Sequence, residues 1–394
     1  MSFDVFAGIR VLDFSRVLAG PYATRLLADY GAEVLKLQTG KTAVGAEANE
    51  QAYFAAWNRN KLGVVLDMDQ PGAREVALEL VSICDVVVEN FAPRVLENWG
   101  LGYESLKRQT PGIILLRMSA AGQTGPWRNH VAFGPTIHAL SGLMHFTSAT
   151  APPLNPGFAY ADVVAGVYGA LALSAALYSR ARTGQGQCID LSEYEAAVSL
   201  LGPALIGLQA GADEDRLRTE LAEPVAAAPY GCFRCQSTDQ WCAIAVFADS
   251  QWLALCEALG LGALQEDRKF ATYTGRTQHA AELQTKIEER TSLLSASELS
   301  ELLQSRGVPA AKVQDARDLS HDPQLLERGF FVQVPDKVRG EQLSDREAIR
   351  LSDQTLPQWK PAPALGQDVD YVFGSLLGWS PQRIAAYRAS GVIA

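Results

Sequence analysis

Strand-like and helix-like segments alternate through the first half of the chain, and this alternation limits the folds open to it. Pro21 and Pro71 mark two helix starts, because proline is favoured in the first helical turn. Strands separated by single helices indicate right-handed βαβ units. The sequence therefore predicts an α/β fold with a Rossmann-like large domain and a parallel sheet covered on both faces. The predicted strands are Ile9–Phe14, Glu33–Leu37, Val64–Met68, Val86–Val88, Ile113–Leu116 and Cys188–Leu191.

The alternation stops after residue 210, and this change predicts the domain boundaries. Residues 1–210 form the first part of the large domain, and 211–227 are charged and rich in Ala and Pro, as expected of a linker. Strand and helix signals in mixed order predict a smaller α+β domain at 228–335. A polar second linker is expected at 336–355, followed by short helices in 356–394.

Composition narrows the function classes. The 34 basic and 44 acidic residues give a net charge of −10, so bulk electrostatics do not favour nucleic acid or an anionic membrane. The longest apolar stretch, Val163–Tyr178, is expected to be too short to span a bilayer comfortably. The six cysteines are predicted to be free thiols of a cytoplasmic protein. Cys232 and Cys235 alone approach metal-ligand spacing, and with no second pair we expect no metal.

Two segments contain residues suited to chemistry. Arg16 lies in a turn of small residues between the first strand and its helix, where exposed N–H groups favour an anion. The alternative is an ordinary turn with a solvated arginine. Asp162 precedes sixteen uncharged residues of an apolar helix. It is interpreted either as a helix cap or as a nucleophile that attacks an activated acyl group, and one residue can do both.

Several stretches of the chain share a pattern with one enzyme family. The longest are Gly8–Pro21 and Leu27–Lys36. Shorter ones are Asn58–Lys61, Leu66–Asp67, Val88–Phe91, Ala139–Gly142, Thr183–Gln187, Ile189–Asp190 and Leu376–Gly378. Together they resemble the class III CoA-transferases, of the formyl-CoA transferase and carnitine CoA-transferase type, over the full length of the chain.

The resemblance implies a fold, an assembly and a site. It implies a large domain built from both chain ends, with 356–394 returning to it, and two subunits interlocked like rings. The nucleophile matches Asp162, which would form covalent acyl intermediates as CoA passes from an acyl-CoA, succinyl-CoA in some relatives, to a carboxylic acid. CoA thioesters are then substrates, and no tightly bound cofactor is expected. The matching CoA-binding positions are Arg16, Val17, Ala19, Leu66, Asn90, Phe91 and Arg94.

Two alternatives stay open at this stage. An acyl-CoA racemase or epimerase on the same fold needs proton-transfer groups on both faces of a carbon, and Phe133 and Gly134 stand where the racemase branch resembles a His–Asp pair. A CoA-binding partner subunit of a heteromeric transferase is the other alternative. The retained Asp162 argues against it.

Overall fold

The computed structural model describes residues 4–147, 153–213, 217, 226–336, 339–346, 348–352 and 359–394. The chain divides into two compact units. The first comprises residues 1–202 and 329–394, and the second comprises residues 203–328. Most of the predicted first linker, at 214–216 and 218–225, lies outside the described residues.

A six-stranded parallel sheet forms the centre of the first unit and confirms the predicted α/β fold. The strand order is β3-β2-β1-β4-β5-β6, the order of doubly wound Rossmann folds. The strands are rich in Val, Leu and Ile and largely buried, as in a sheet with both faces covered. Their bounds are β1 Arg10–Asp13, β2 Glu33–Gln38, β3 Lys61–Val65, β4 Val86–Glu89, β5 Ile114–Ser119 and β6 Cys188–Ser192.

The helices of the first unit connect these strands and pack on the sheet. They are α1 Ala19–Asp29, α2 Ala52–Asn58, α3 Ala73–Ser82, α4 Val95–Asn98, α5 Tyr103–Gln109, α6 Gly134–Leu140, α7 Leu143–Thr147, α8 Tyr160–Thr183 and α9 Glu193–Val198. Short 3₁₀ turns occupy Gly45–Glu47 and Ser199–Leu201. Ser192 caps α9, as its sequence predicts, because its Oγ accepts a hydrogen bond from Glu195 N at 3.2 Å.

Helix α8 is longer than the apolar stretch that predicts it. With 24 residues it is long and apolar enough to cross a bilayer, by length and composition only. Half of its most apolar window is buried inside the protein, where it packs against α1 and β5. We therefore describe it as a core helix of the first unit.

The end of the chain completes the core of the first unit. It forms a π-helix at Asp370–Leu376 and the last helix, α18, at Pro381–Ala389. Val372, Phe373 and Ile393 are fully buried against β-strand and α3 side chains. Asp67 N donates to Val392 O at 2.9 Å, which ties the last residues to the end of β3.

The second unit has a small antiparallel sheet, in the order β7-β8-β9, and its own apolar core. Its strands are β7 Tyr230–Arg234, β8 Trp241–Ala245 and β9 Ala310–Lys312. Its helices are α10 Gly202–Gln209, α11 Asp249–Leu259, α12 Gly262–Glu266, α13 Tyr273–Gln278, α14 Ala280–Thr291, α15 Ala296–Ser305, α16 Ala316–Ser320 and α17 Pro323–Glu327.

The structure differs from the predicted boundaries around the second linker. A hairpin of β10 Phe331–Asp336 and β11 Gly340–Asp345 occupies part of the expected linker 336–355 and belongs to the first unit. Arg25 and Arg59 both form ion pairs with Asp345, and these contacts hold the hairpin against α1 and α2. The sequence analysis interpreted this polar segment as a linker because ion pairs, rather than apolar side chains, hold the hairpin in place.

Candidate functional site

The turn after β1 is fixed in position at the start of α1. Asn90 fixes it from the neighbouring strand end: its Oδ1 accepts from Arg16 N at 2.7 Å, and its Nδ2 donates to Arg16 O at 2.8 Å. Val17 has a φ of 65°, a left-handed conformation that is strained for a β-branched residue. Gly20 allows the tight packing, because a Cβ there would lie 2.2 Å from Ser15 Cβ. The loop is thus held firmly in one shape at the start of α1.

A buried charged cluster supports this turn from below. Asp13, at the end of β1, accepts hydrogen bonds from Ser15 N at 2.9 Å and Thr24 Oγ1 at 2.7 Å. Lys61 Nζ lies 3.0 Å from Asp13 Oδ2, and Lys36 Nζ lies 3.5 Å from Asp13 Oδ1. Lys36 also donates to Ser15 O. With both lysines protonated, the cluster carries one excess positive charge beneath the turn.

A cavity of about 210 Å³ opens at the carboxyl ends of β1 to β4. In open parallel sheets, ligands bind in a crevice at this edge. Three of the predicted CoA-binding residues meet there: Arg16, Leu66 and Phe91. The wall also includes residues that the sequence analysis did not select, namely Phe14, Leu37, Gln38, Thr39, Lys41, Thr42, Asp67, Met68, Asp69, Val95 and Trp99. Lys41 and Thr42 could have been selected from the sequence, because they directly follow β2 and ligands bind at the carboxyl ends of parallel strands.

The basic side chains of this cavity form ion pairs with nearby acidic side chains. Arg16 forms an ion pair with Glu47 at 2.9 Å. Lys41 lies 3.0 Å from Asp67 and 2.8 Å from Asp69. A phosphorylated ligand would have to compete with these carboxylates for both cations. Because surface ion pairs are weak, this exchange costs little.

The other predicted CoA-binding positions lie around the cavity rather than in its wall. Ala19 is buried as the first residue of α1, so only its backbone could face a ligand. Arg94 is exposed at the N-terminus of α4 with a φ of 75°. Asn90 uses its amide on the Arg16 backbone, and Val17 is partly exposed on the turn.

Asp162 lies in the first turn of α8, three residues after its N-cap Ala159, so it is not the cap itself. The side chain is 9% exposed. Its Oδ2 has no hydrogen-bond partner among the residues that the structure describes. Burial raises the pKa of Asp162 to about 6, although a hydrogen bond from its own backbone N–H and the nearby His138 act in the opposite direction. The result is a buried, ionisable oxygen that no side chain or backbone group of the described ranges engages.

His138 orients the start of α8. Its Nε2 accepts from Ala161 N at 3.1 Å, so its Nδ1 carries the proton and donates to Asn155 Oδ1 at 2.9 Å. Both ring nitrogens are used, and the ring is fully buried. His138 therefore has a structural role in the core.

Gly134, the first residue of α6, leaves the space that the Asp162 carboxylate occupies. A Cβ at this position would lie 2.7 Å from Asp162 Oδ2 and 3.1 Å from Ala159 Cβ. Phe133, the N-cap of α6, is 65% exposed. Neither residue carries a proton-transfer group, so the positions matched to a racemase His–Asp pair do not favour that chemistry here.

Replacement of Gly134 by Ala should impair activity without unfolding the protein. The added methyl group meets the flexible end of the Asp162 side chain, which turns away, while the contact with Ala159 Cβ, at 3.1 Å, needs a shift of only a few tenths of an ångström. A misplacement of about 1 Å can cost on the order of 100-fold in rate, so we expect kcat to fall roughly 10- to 100-fold. Gly202→Ala, where a Cβ meets nothing within 4 Å, is the control. Equal kcat values for the two variants, with unchanged thermal unfolding, would contradict this prediction.

Tyr53 on α2 also lies close enough to the Asp162 carboxylate to feel its charge. The sequence analysis did not select Tyr53. Burial, and then the charges of Asp162 and Glu47, raise the pKa of its hydroxyl to about 12. No hydrogen bond engages this hydroxyl within the described part of the chain. A neutral phenol at this place can donate a hydrogen bond to an oxygen that bears developing negative charge.

Comparisons with known proteins show which family this chain resembles. The sequence model of CoA-transferase family III matches residues 6–369. The succinyl-CoA–D-citramalate CoA-transferase of Chloroflexus aurantiacus is 33% identical over 98% of this chain and 97% of its own length. The succinyl-CoA–L-malate CoA-transferase beta subunit of the same organism is 30% identical over 98% of both chains. Among solved structures, a CAIB/BAIF family protein from Brucella suis superposes with a TM-score of 0.85 at 30% identity, covering 94% of this chain and 99% of that one.

Proposed function

The chain belongs to CoA-transferase family III and is an enzyme that transfers CoA, and on that premise we propose that it moves CoA from succinyl-CoA to a dicarboxylic acid through acyl intermediates on Asp162. The observation that carries the proposal is the buried Asp162 Oδ2, which has no partner among the described residues. A carboxylate with a pKa of about 6 is mostly ionised at neutral pH and more basic than an ordinary aspartate. It is therefore a stronger nucleophile.

The first half-reaction transfers the acyl group and then CoA to the enzyme. Asp162 attacks the thioester carbonyl carbon, the C–S bond breaks, and a mixed anhydride and CoA thiolate form. The thiolate then attacks the Asp162 carbonyl carbon of the anhydride. The C–O bond to the donor acid breaks, the donor leaves as a carboxylate, and an aspartyl-CoA thioester remains.

The second half-reaction reverses these steps with the acceptor. The acceptor carboxylate attacks the aspartyl thioester and displaces CoA thiolate, which then attacks the acceptor carbonyl of the new anhydride. Asp162 is released as a carboxylate together with the new acyl-CoA. Each step exchanges one anion for another, so no external acid or base is consumed. Burial of Asp162 protects the anhydride from water.

The relatives' names support the proposed substrate class. Both Chloroflexus aurantiacus enzymes are named for succinyl-CoA and for an acid with two carboxyl groups, D-citramalate or L-malate. We extend this pattern to the present chain: a succinyl donor and a short dicarboxylic acceptor. CoA itself would lie in the cavity at the ends of β1 to β4, with its phosphates near Arg16 and Lys41.

The proposal extends to assembly. We propose an interlocked dimer, as the family resemblance implies. A heteromer is the alternative, because one relative is named as the beta subunit of a transferase.

Acyl-enzyme trapping tests the proposed function. The purified chain is incubated with succinyl-CoA, treated with hydroxylamine and digested, and the peptides are analysed by mass spectrometry. We expect a hydroxamate on the peptide that contains Asp162. The amount should fall when a dicarboxylic acceptor is added, as CoA appears on that acid. Exchange without any modification of this peptide would contradict the covalent route, and absence of exchange with every dicarboxylate would contradict the substrate class.

A further inference from the structure

A second buried acid lies on α9, a helix that packs against the helix of Asp162. Glu193 is the first residue of α9, directly after its N-cap Ser192, and its side chain is 6% exposed. Helix α9 packs against α6, α8 and β6, which bring Gly134, Asp162 and the end of the sheet around it. Asp162 acts electrostatically on Glu193. The mechanism proposed above makes no use of Glu193.

Glu193 also lacks the partners that a buried carboxylate requires. Across the described ranges of the chain, no hydrogen bond or ion pair engages its side chain. Burying an ionised carboxylate without such partners is costly, so the group takes up a proton instead. Burial, and then the negative charge of Asp162, raise the pKa of Glu193 to about 8.

The other titratable groups on the packed elements are occupied elsewhere. On α6, His138 is bonded to Ala161 N and Asn155. On β6, Asp190 accepts from Gln123 N at 3.0 Å. Cys188, also on β6, has its thiol pKa raised by burial, so it stays neutral. In the last turn of α8, Arg180 pairs with Asp85 and Arg182 lies over the Tyr178 ring. Asp162 is therefore the charged group of these elements that acts on Glu193.

We propose that Glu193 holds a proton in the active form of the enzyme, so that no second negative charge from this side chain stands beside Asp162. This inference rests on the proposed function. The acceptor must approach as a carboxylate, and CoA leaves as a thiolate. A second ionised carboxylate beside Asp162 would repel both anions, whereas a neutral carboxylic acid does not. Glu193 is a positioning residue and not a catalytic one: it does not react with the substrate, and its neutral form lets anionic substrates approach Asp162.

The pH dependence of exchange tests the proposal with an isosteric variant. In the wild type, kcat/KM should decrease above pH 8 as Glu193 loses its proton. Glu193→Gln is neutral at every pH, so it should keep activity within about threefold of the wild type at pH 7 and show no decrease between about pH 8 and 9.5. Glu195→Gln is the matched control: it lies in the same turn of α9, removes the same charge and is exposed. It should retain the wild-type decrease.

Two results would overturn the proposal. One is an unchanged alkaline decrease in Glu193→Gln. The other is a loss of about 100-fold at pH 7 in a folded Glu193→Gln protein, which would mean that the ionised form is needed. Should this variant fail to fold, infrared spectra of the wild type decide. A protonated-carboxyl band present at pH 7 and lost by pH 9.5 supports the proposal, and its absence at pH 7 contradicts it. Failure of the proposed function is distinguishable, because it removes exchange and the Asp162 hydroxamate in the wild type itself.

Discussion

Replacing Asp162 by Asn should lower kcat/KM for CoA exchange by at least about 1000-fold while the protein stays folded. An amide cannot form the mixed anhydride, so the covalent route is lost, and about 4 kcal/mol of barrier lowering is lost with it. Asn has the shape of Asp and, unlike an ionised carboxylate, suffers little from the buried position that raises the Asp162 pKa. We therefore expect a thermal stability at least equal to that of the wild type at pH 8.

The controls separate chemistry from folding. Tyr160→Phe changes an exposed residue in the same first turn of α8 and should leave exchange unchanged. Asp162→Ala guards against deamidation, which would convert the introduced amide back to an aspartate. In the wild type, activity should fall about tenfold per pH unit below pH 6, because protonated Asp162 is not nucleophilic. An Asp162→Ala protein that retains more than about a tenth of wild-type exchange would rule out the acyl-aspartate.

Replacing Asp13 by Asn should cause the largest loss of stability among the substitutions considered. Asp13 is fully buried and is the counter-ion of Lys36 and Lys61. Its removal leaves two buried lysines without a negative partner for their protonated forms. Breaking a buried ion pair in this way costs about 3–5 kcal/mol in the free energy of unfolding. Urea unfolding at pH 7 measures this loss. Asp69→Asn, which removes an exposed ion pair with Lys41, should cost less than about 1 kcal/mol.

The loss should also depend on pH. Burial lowers the pKa of Lys61 to about 7, against 10.5 for the free side chain. Between these values the folded state binds fewer protons than the unfolded state, so the free energy of unfolding rises with pH across this window. Lysines that have given up their protons need no counter-ion. The difference between Asp13→Asn and the wild type should therefore shrink from pH 7 toward pH 10. A pH-independent difference, or one equal to that of Asp69→Asn, would contradict this account.

The sheet could be predicted because each strand and helix start is indicated by residues that are adjacent in the sequence. Val86–Val88 and Ile113–Leu116 are apolar runs of strand length, and Pro21 falls in the first turn of α1. Strand β3 was misplaced: it covers Lys61–Val65 rather than Val64–Met68. Its first residue is a lysine, which lies outside the apolar run that predicted the strand, and this lysine is buried beside Asp13 from another strand.

The site was predicted in part: residues with a local sequence signal could be selected, and residues brought together by long-range packing could not. Asp162 could be selected because an acid beside sixteen uncharged residues is visible in the sequence. Glu193 could not, since Ser192–Glu195 gives the signal of a helix cap and burial of the first acid depends on how α6 and α8 pack. Tyr53 lies more than 100 residues from Asp162, and nothing near either residue indicates that they approach. Long-range packing decides such pairs.

The position of the last residues sets an order on how this protein can fold during synthesis. The first 202 residues contain all six strands of the large sheet, yet Val372, Phe373 and Ile393 are needed to cover one of its faces. A ribosome adds roughly 5–20 residues per second, so the unfinished sheet waits many seconds for its cover. The second unit, 203–328, has its own apolar core and leaves the ribosome earlier than that cover. The inserted unit can therefore reach its native state first, while the sheet stays partly uncovered until residues 372–393 have been synthesised.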